Sequence, residues 1–224
     1  MVDDIQPLLI GSATLGCVLW VITYLLVFRR ARQDGRHGFP ALALGLNLSW
    51  EITWTLVVVP VGPLVDDYVW LLKLLGWAWL VPNCALAWQW FSLGGRERAA
   101  DGQQAFVLRS LVLFSMLFAA QYGFAAITAD RSGQLTAFVV NLVNSAAFLV
   151  LLGSRPDGAG LSYGAAWTRM LGTVLVALPF VSLYPIIDPG RGSYMHMHAL
   201  YLSIFSLDLV YVLWLGRARR RMAA

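Results

Sequence analysis

The sequence predicts an all-α integral membrane protein, a seven-transmembrane helix bundle with its N-terminus outside and its C-terminus in the cytoplasm. Three observations carry this prediction. Of the 224 residues, 59% are hydrophobic and only 12% are charged, about half the charged share of an ordinary soluble domain, and the mean hydropathy is +0.68. Long apolar runs recur seven times along the chain, and arginines gather in alternate gaps between them.

A helix rises about 1.5 Å per residue and the hydrocarbon layer is about 30 Å thick, so each span requires roughly 20 apolar residues. The first run, approximately 6–28, follows Asp3 and Asp4 and precedes Arg29, Arg30, Arg32 and Arg36. That charge order is the reverse of a cleavable signal peptide, so the run is expected to persist as helix one. The second, 39–60, contains Glu51. The third, 68–92, concentrates Trp70, Trp77, Trp79, Trp88 and Trp90 and holds Lys73, the only lysine. Tryptophans commonly anchor helices at the membrane interface, but Trp77 and Trp79 lie too deep in this run and are expected to face protein or a cavity. The fourth and fifth runs, 104–127 and 133–153, are separated by a short gap containing Arg131. The sixth, 163–186, and the seventh, 194–216, flank Arg191, and the seventh ends at Arg217, Arg219, Arg220 and Arg221.

Gaps after helices one, three and five, with the C-terminal tail, hold Arg29, Arg30, Arg32, Arg36, Arg96, Arg98, Arg155 and the four final arginines; the opposite side has Arg131 and Arg191. The positive-inside rule then places the tail in the cytoplasm and makes this a multi-pass protein of the cell membrane, with the lipid bilayer as its medium. Short loops leave no room for a separate soluble domain, so 1–224 reads as one membrane domain with any site inside the bundle. The net charge of +4 comes largely from arginines beside spans, and no nucleic-acid partner is expected. No metal or other cofactor is expected either. Cys17 and Cys84 fall inside apolar runs without C-x-x-C spacing. His196 and His198 are two apart and point to different sides of a helix. Asp66-Asp67 is followed by Tyr68-Val69-Trp70 rather than completing D-D-x-x-D, which argues against magnesium-dependent diphosphate ionisation.

Carboxylates inside hydrocarbon are disfavoured by about 2.5–3.5 kcal/mol on insertion scales, so each needs a reason to be there. Glu51 lies roughly 18 Å from the cytoplasmic end of helix two and Asp208 roughly 13 Å from the same side on helix seven. The matching depths suggest that both acids face one cavity. Asn47 and Glu51 share a helix face with Trp54, and Trp50 precedes the acid. Around Asp208, helical spacing groups Tyr201, Phe205 and Tyr211. Desolvation favours the neutral acid, so at least one of the two is expected to hold a transferable proton, and Asn47 or Asp208 would assist by hydrogen bonding to the nascent carboxylate. Aromatic faces attract cations without offering a reactive lone pair. Trp50, Trp54, Trp77, Tyr201, Phe205 and Tyr211 are therefore candidates for steadying a carbocation.

The block Asn47-Leu48-Ser49-Trp50-Glu51 on the second of seven helices, with Asp208 in Leu207-Asp208-Leu209-Val210-Tyr211 on the last, resembles the small integral-membrane terpene cyclases of meroterpenoid and indole-terpenoid biosynthesis. The paxilline and pyripyropene types belong here, and this arginine-rich, lysine-poor chain looks closer to the bacterial, drimentine-type branch. The resemblance implies that Glu51 and Asp208 are the essential acids. They would act on the terminal alkene or epoxide of a prenyl chain, such as farnesyl, already joined to an indole or other aromatic head. It also implies a functional link to the prenyltransferase that makes this substrate. Two other readings use the same residues. The acids would relay protons in a proton-coupled transporter or channel, or act as hydrogen-bonding glue between helices.

Overall fold

The computed structural model describes residues 2–61, 66–94, 102–187 and 195–223. Among these residues there are seven α-helices and no strand. They are α1 (Val2–Asp34), α2 (Ala41–Ile52), α3 (Val69–Gln89), α4 (Gln103–Ile127), α5 (Gln134–Ser154), α6 (Tyr163–Ile187) and α7 (Met195–Ala223). Six segments are long and apolar enough to cross a membrane, one in each helix except α2. The α2 helix is short because its last part widens into a π-helical turn, Thr53–Val57, and the chain then leaves in extended form at Val58.

Six helices close a ring: α1 packs on α3, α3 on α2, α2 on α5, α5 on α7, α7 on α6, and α6 back on α1, while α4 lies outside against α2. Membrane helices gain little hydrophobic drive from packing on each other, so close approach through small residues matters more. The α1–α6 pair shows this. A Cβ on Gly16 would lie 2.6 Å from the Gly172 carbonyl oxygen, and one on Gly172 would lie 2.9 Å from that of Gly16. Two turns further along α1, and one turn back along α6, the Thr23 and Thr168 hydroxyls meet at 2.7 Å.

The arginine-rich end of the ring is filled by a continuous cluster that includes Tyr24, Phe39, Leu44, Leu86, Trp90, Phe148, Leu152 and Leu215. Loops seal this end. Arg155 donates to the Ala159 carbonyl at 3.2 Å and reaches the His37 ring at 3.3 Å, and Asp34 accepts from the Gly160 amide at 2.7 Å. Among the described residues the opposite end carries a small cluster around Phe138, Ala177, Met197 and Ile204, and the ring they form is hollow there.

Three expectations about side-chain direction are corrected. Trp77 is half exposed on the outer face, in line with Trp70, Val81 and Trp88. The helical period turns it away from Gly76, Leu80 and Asn83, which are buried. Phe205 likewise points outward, 40% exposed. The inward face of α7 runs through Ile204, Asp208, Tyr211 and Leu215 instead. Asp208, expected to share a cavity with Glu51, is buried but does not line the cavity that Glu51 lines.

Candidate active site

The hollow end encloses a cavity of about 240 Å³ walled by α1, α2, α3, α5 and α6. Because these helices alternate in direction, the lining residues order themselves by depth. Ile10, Tyr68, Gln134 and Phe180 stand at the mouth; Trp20, Tyr24, Asn47 and Asn144 form the floor. Glu51 lies on α2 one turn above the floor and is 2% exposed.

Two helices build the acid's surroundings. Asn83 on α3, fully buried, donates from Nδ2 to Glu51 Oε1 at 2.6 Å. Oε2 is buried without a hydrogen-bond partner among the described residues. Asn47, placed by the sequence beside Glu51, lines the cavity but is engaged elsewhere. Its Nδ2 donates to the Tyr24 hydroxyl at 3.3 Å, and its Oδ1 accepts from Asn144 Nδ2 at 2.7 Å. Asn83 is therefore placed to steady a negative charge on Glu51, with the Tyr24 hydroxyl as a second group near the acid. Hydrogen bonds to an ionised acceptor are roughly twice as strong as neutral ones, so the Asn83 contact strengthens as a proton leaves.

Indole rings form much of the wall, and two of them are tied back to the backbone through their N–H groups. Trp50 donates to the Gly133 carbonyl at 3.0 Å and Trp79 to the Cys17 carbonyl at 3.1 Å, with ring centroids 5.9 Å apart. Trp54 packs over Gly133, where a Cβ would fall 2.6 Å from its ring and the backbone φ is +74°; only glycine meets both conditions without strain. The π turn that carries Trp54 leaves carbonyl oxygens outside the normal helical ladder. Lys73 Nζ occupies them, donating to Trp54, Thr55 and Val58 oxygens at 3.0, 2.9 and 2.8 Å.

Asp208 lies behind the floor. It forms a buried ion pair with Arg169, whose guanidinium carbon sits 4.4 Å from the Phe148 ring centre and 5.2 Å from that of Tyr211. Tyr211 thus steadies a resident cation rather than lining the cavity. Countercharge decides the orientation: an isolated carboxylate in this interior would be strongly disfavoured, and Arg169 supplies its partner. The pair touches the cavity indirectly. Thr173, one turn beyond Arg169 on α6, lines the cavity and accepts from Asn141 Nδ2 at 3.0 Å. Tyr201 packs on the cavity residue Phe138 at 4.5 Å and accepts from Gln134 at 3.3 Å.

The sequence model of the Pyr4-like transmembrane terpene cyclases matches residues 2–221, nearly the whole chain. The chain belongs to that family. It is 24% identical over 172 residues to terpene cyclase macJ of Penicillium terrestre, covering 76% of this chain and 65% of the relative, so it spans less than two thirds of that protein's length. It is 24% identical to terpene cyclase cle7 of Aspergillus versicolor, covering 76% and 70%, and 24% identical to the Pyr4-family terpene cyclase mfmH of Annulohypoxylon moriforme, covering 74% and 66%. No solved structure matches it.

In this member of the family the structure brings Asn47, Trp50, Glu51 and Trp54 to one cavity and leaves Trp77, Phe205, Asp208 and Tyr211 outside its lining. Sequence reading missed Tyr24, Asn83, Asn141, Asn144 and Arg169. Each had a signal: a polar residue inside an apolar run needs a partner. Arg169, a full charge six residues into the sixth run, was the strongest of these, and the structure makes it the partner of Asp208.

Proposed function

We propose that this chain is a membrane terpene cyclase in which Glu51 protonates the terminal alkene or epoxide of a prenyl chain. The chain favoured is farnesyl on an indole or other aromatic head. The proton leaves Oε2 and adds to the terminal alkene carbon, or to the epoxide oxygen as its C–O bond breaks. The cation is attacked by the next alkene along the chain, which closes a ring. Loss of a proton from carbon ends the sequence, so the product is an isomer of the substrate. No diphosphate leaves, and the route uses no metal or cofactor. The observation that carries this reading is one carboxyl group with Oε1 held by Asn83 and Oε2 left unpartnered, in a cavity walled by indoles.

Asp208 acts at a distance in this reading: it holds Arg169 in place, and Arg169 supports the Thr173 wall. The arginine-rich end faces the cytoplasm, so the cavity mouth opens toward the other side of the cell membrane. The substrate is the product of a prenyl-transfer reaction, which links this enzyme to a prenyltransferase.

The test is incubation of membranes containing the wild type or Glu51→Gln with farnesyl-indole and its terminal epoxide. Products are resolved by mass and NMR. The wild type should form rings, and Glu51→Gln should lose them by about 10²–10⁴-fold, the usual contribution of a positioned acid. Equal turnover by both would sink the assignment.

A further inference from the structure

We infer that the amide oxygens of Asn141 and Asn144 form a cation-stabilising site on the α5 wall of the cavity, one that governs how far cyclisation runs. This rests on the cyclase reading above. Both residues line the cavity and are 9% and 2% exposed. Three positions apart on one helix, they present neighbouring points on the same face. Each amide is locked through its nitrogen: Asn141 Nδ2 donates to Thr173 Oγ1 at 3.0 Å, and Asn144 Nδ2 to Asn47 Oδ1 at 2.7 Å. In both cases Oδ1 is buried with no hydrogen-bond partner among the described residues.

A carbonyl oxygen is the negative end of the amide dipole. A neutral prenyl chain gives such an oxygen nothing in return for its desolvation, whereas a carbocation in the same place is attracted to it. The interaction is therefore stronger in the charged intermediate than in the bound substrate, which is the condition for a rate effect. Water would satisfy the same oxygens but would also capture the cation; the indole walls limit the space left for it. The fixed tethers remove the reorganisation that a mobile amide would need. Aromatic faces attract a cation along much of the cavity, but the two oxygens mark one position on its wall. A cation formed at Glu51 and migrating along the chain as rings close is held there.

The test reads binding without turnover. Purified protein in lipid nanodiscs is titrated with a farnesyl chain ending in trimethylammonium, which has no N–H, and with its neutral tert-butyl isostere. Cavity tryptophan fluorescence reports binding, and empty nanodiscs correct for partitioning. The wild type should prefer the cation at least tenfold. Asn141→Leu and Asn144→Leu should each lower that preference at least threefold, and Thr173→Val, which keeps both amides but frees Asn141, should lower it less. Unchanged preference in both leucine variants would overturn the site, as would its absence in the wild type or its complete loss in Glu51→Gln alone. If a leucine variant fails to bind the isostere, the Thr173→Val result decides. In turnover, Asn141→Leu should shift products toward those closed fewer times. Ring formation without cation preference counts against this site alone, and cation preference without ring formation counts against the cyclase reading alone.

Discussion

At Asn83 a single side chain decides which oxygen of Glu51 is available for chemistry. Its 2.6 Å contact to Oε1 leaves Oε2 without a hydrogen-bond partner among the described residues and steadies the negative charge that the departing proton leaves on the carboxylate. Replacement by leucine keeps the volume and removes the donor. A hydrogen bond to a charged group contributes about 1.5–3 kcal/mol, so Asn83→Leu should lower kcat by roughly 10–10²-fold. KM should change little, because the contact gains strength only as charge develops. Steady-state kinetics normalised to folded protein checks this, and a change confined to KM would assign Asn83 to substrate binding instead.

Among elements, the α6–α7 contact is where sequence reading and structure diverge most. Arg169 and Asp208 are 39 positions apart and 1% exposed. Removing one partner leaves an uncompensated buried charge, which costs roughly 3–5 kcal/mol, whereas replacing both by apolar residues of similar size is often neutral or stabilising. Arg169→Met and Asp208→Leu should each destabilise the protein by about that amount, and the double variant should recover most of the loss in unfolding from mixed micelles. Activity separates the roles of Asp208. Recovery of ring formation in the double variant fits a positioning role through Arg169; a stable but inactive double variant would make Asp208 a proton donor. The helices themselves were legible, because seven apolar runs broken by charged gaps leave the backbone few alternatives in lipid. Glu51 and its neighbours on α2 were legible too, since one helical period relates them. Asn83 was not: it lies 32 positions from Glu51 on another helix, and no local pattern records which faces meet. Asp208 misled for the same reason, because matching depth does not specify direction around the helix axis.

For the whole molecule, the proposed orientation rests on where the arginines lie relative to the hollow end. Arg29, Arg30, Arg32, Arg36, Arg155 and the final arginines share the end where the core is solid. If that end is cytoplasmic, the cavity mouth near Gln134 and Tyr68 faces the opposite side, and a substrate made in the cytoplasm must reach it through the bilayer. An apolar prenyl chain can travel in lipid; a polar head is what limits that route. Single cysteines in a Cys17→Ala, Cys84→Ala background test the orientation. Thr128, exposed beyond the end of α4, and Pro156, exposed after α5, lie at opposite ends of the bundle. In intact cells a membrane-impermeant maleimide should label Thr128→Cys and spare Pro156→Cys until the membrane is permeabilised. The reverse pattern would turn the mouth toward the cytoplasm, where the prenylated substrate could be delivered without crossing the membrane, and would leave the cavity chemistry untouched.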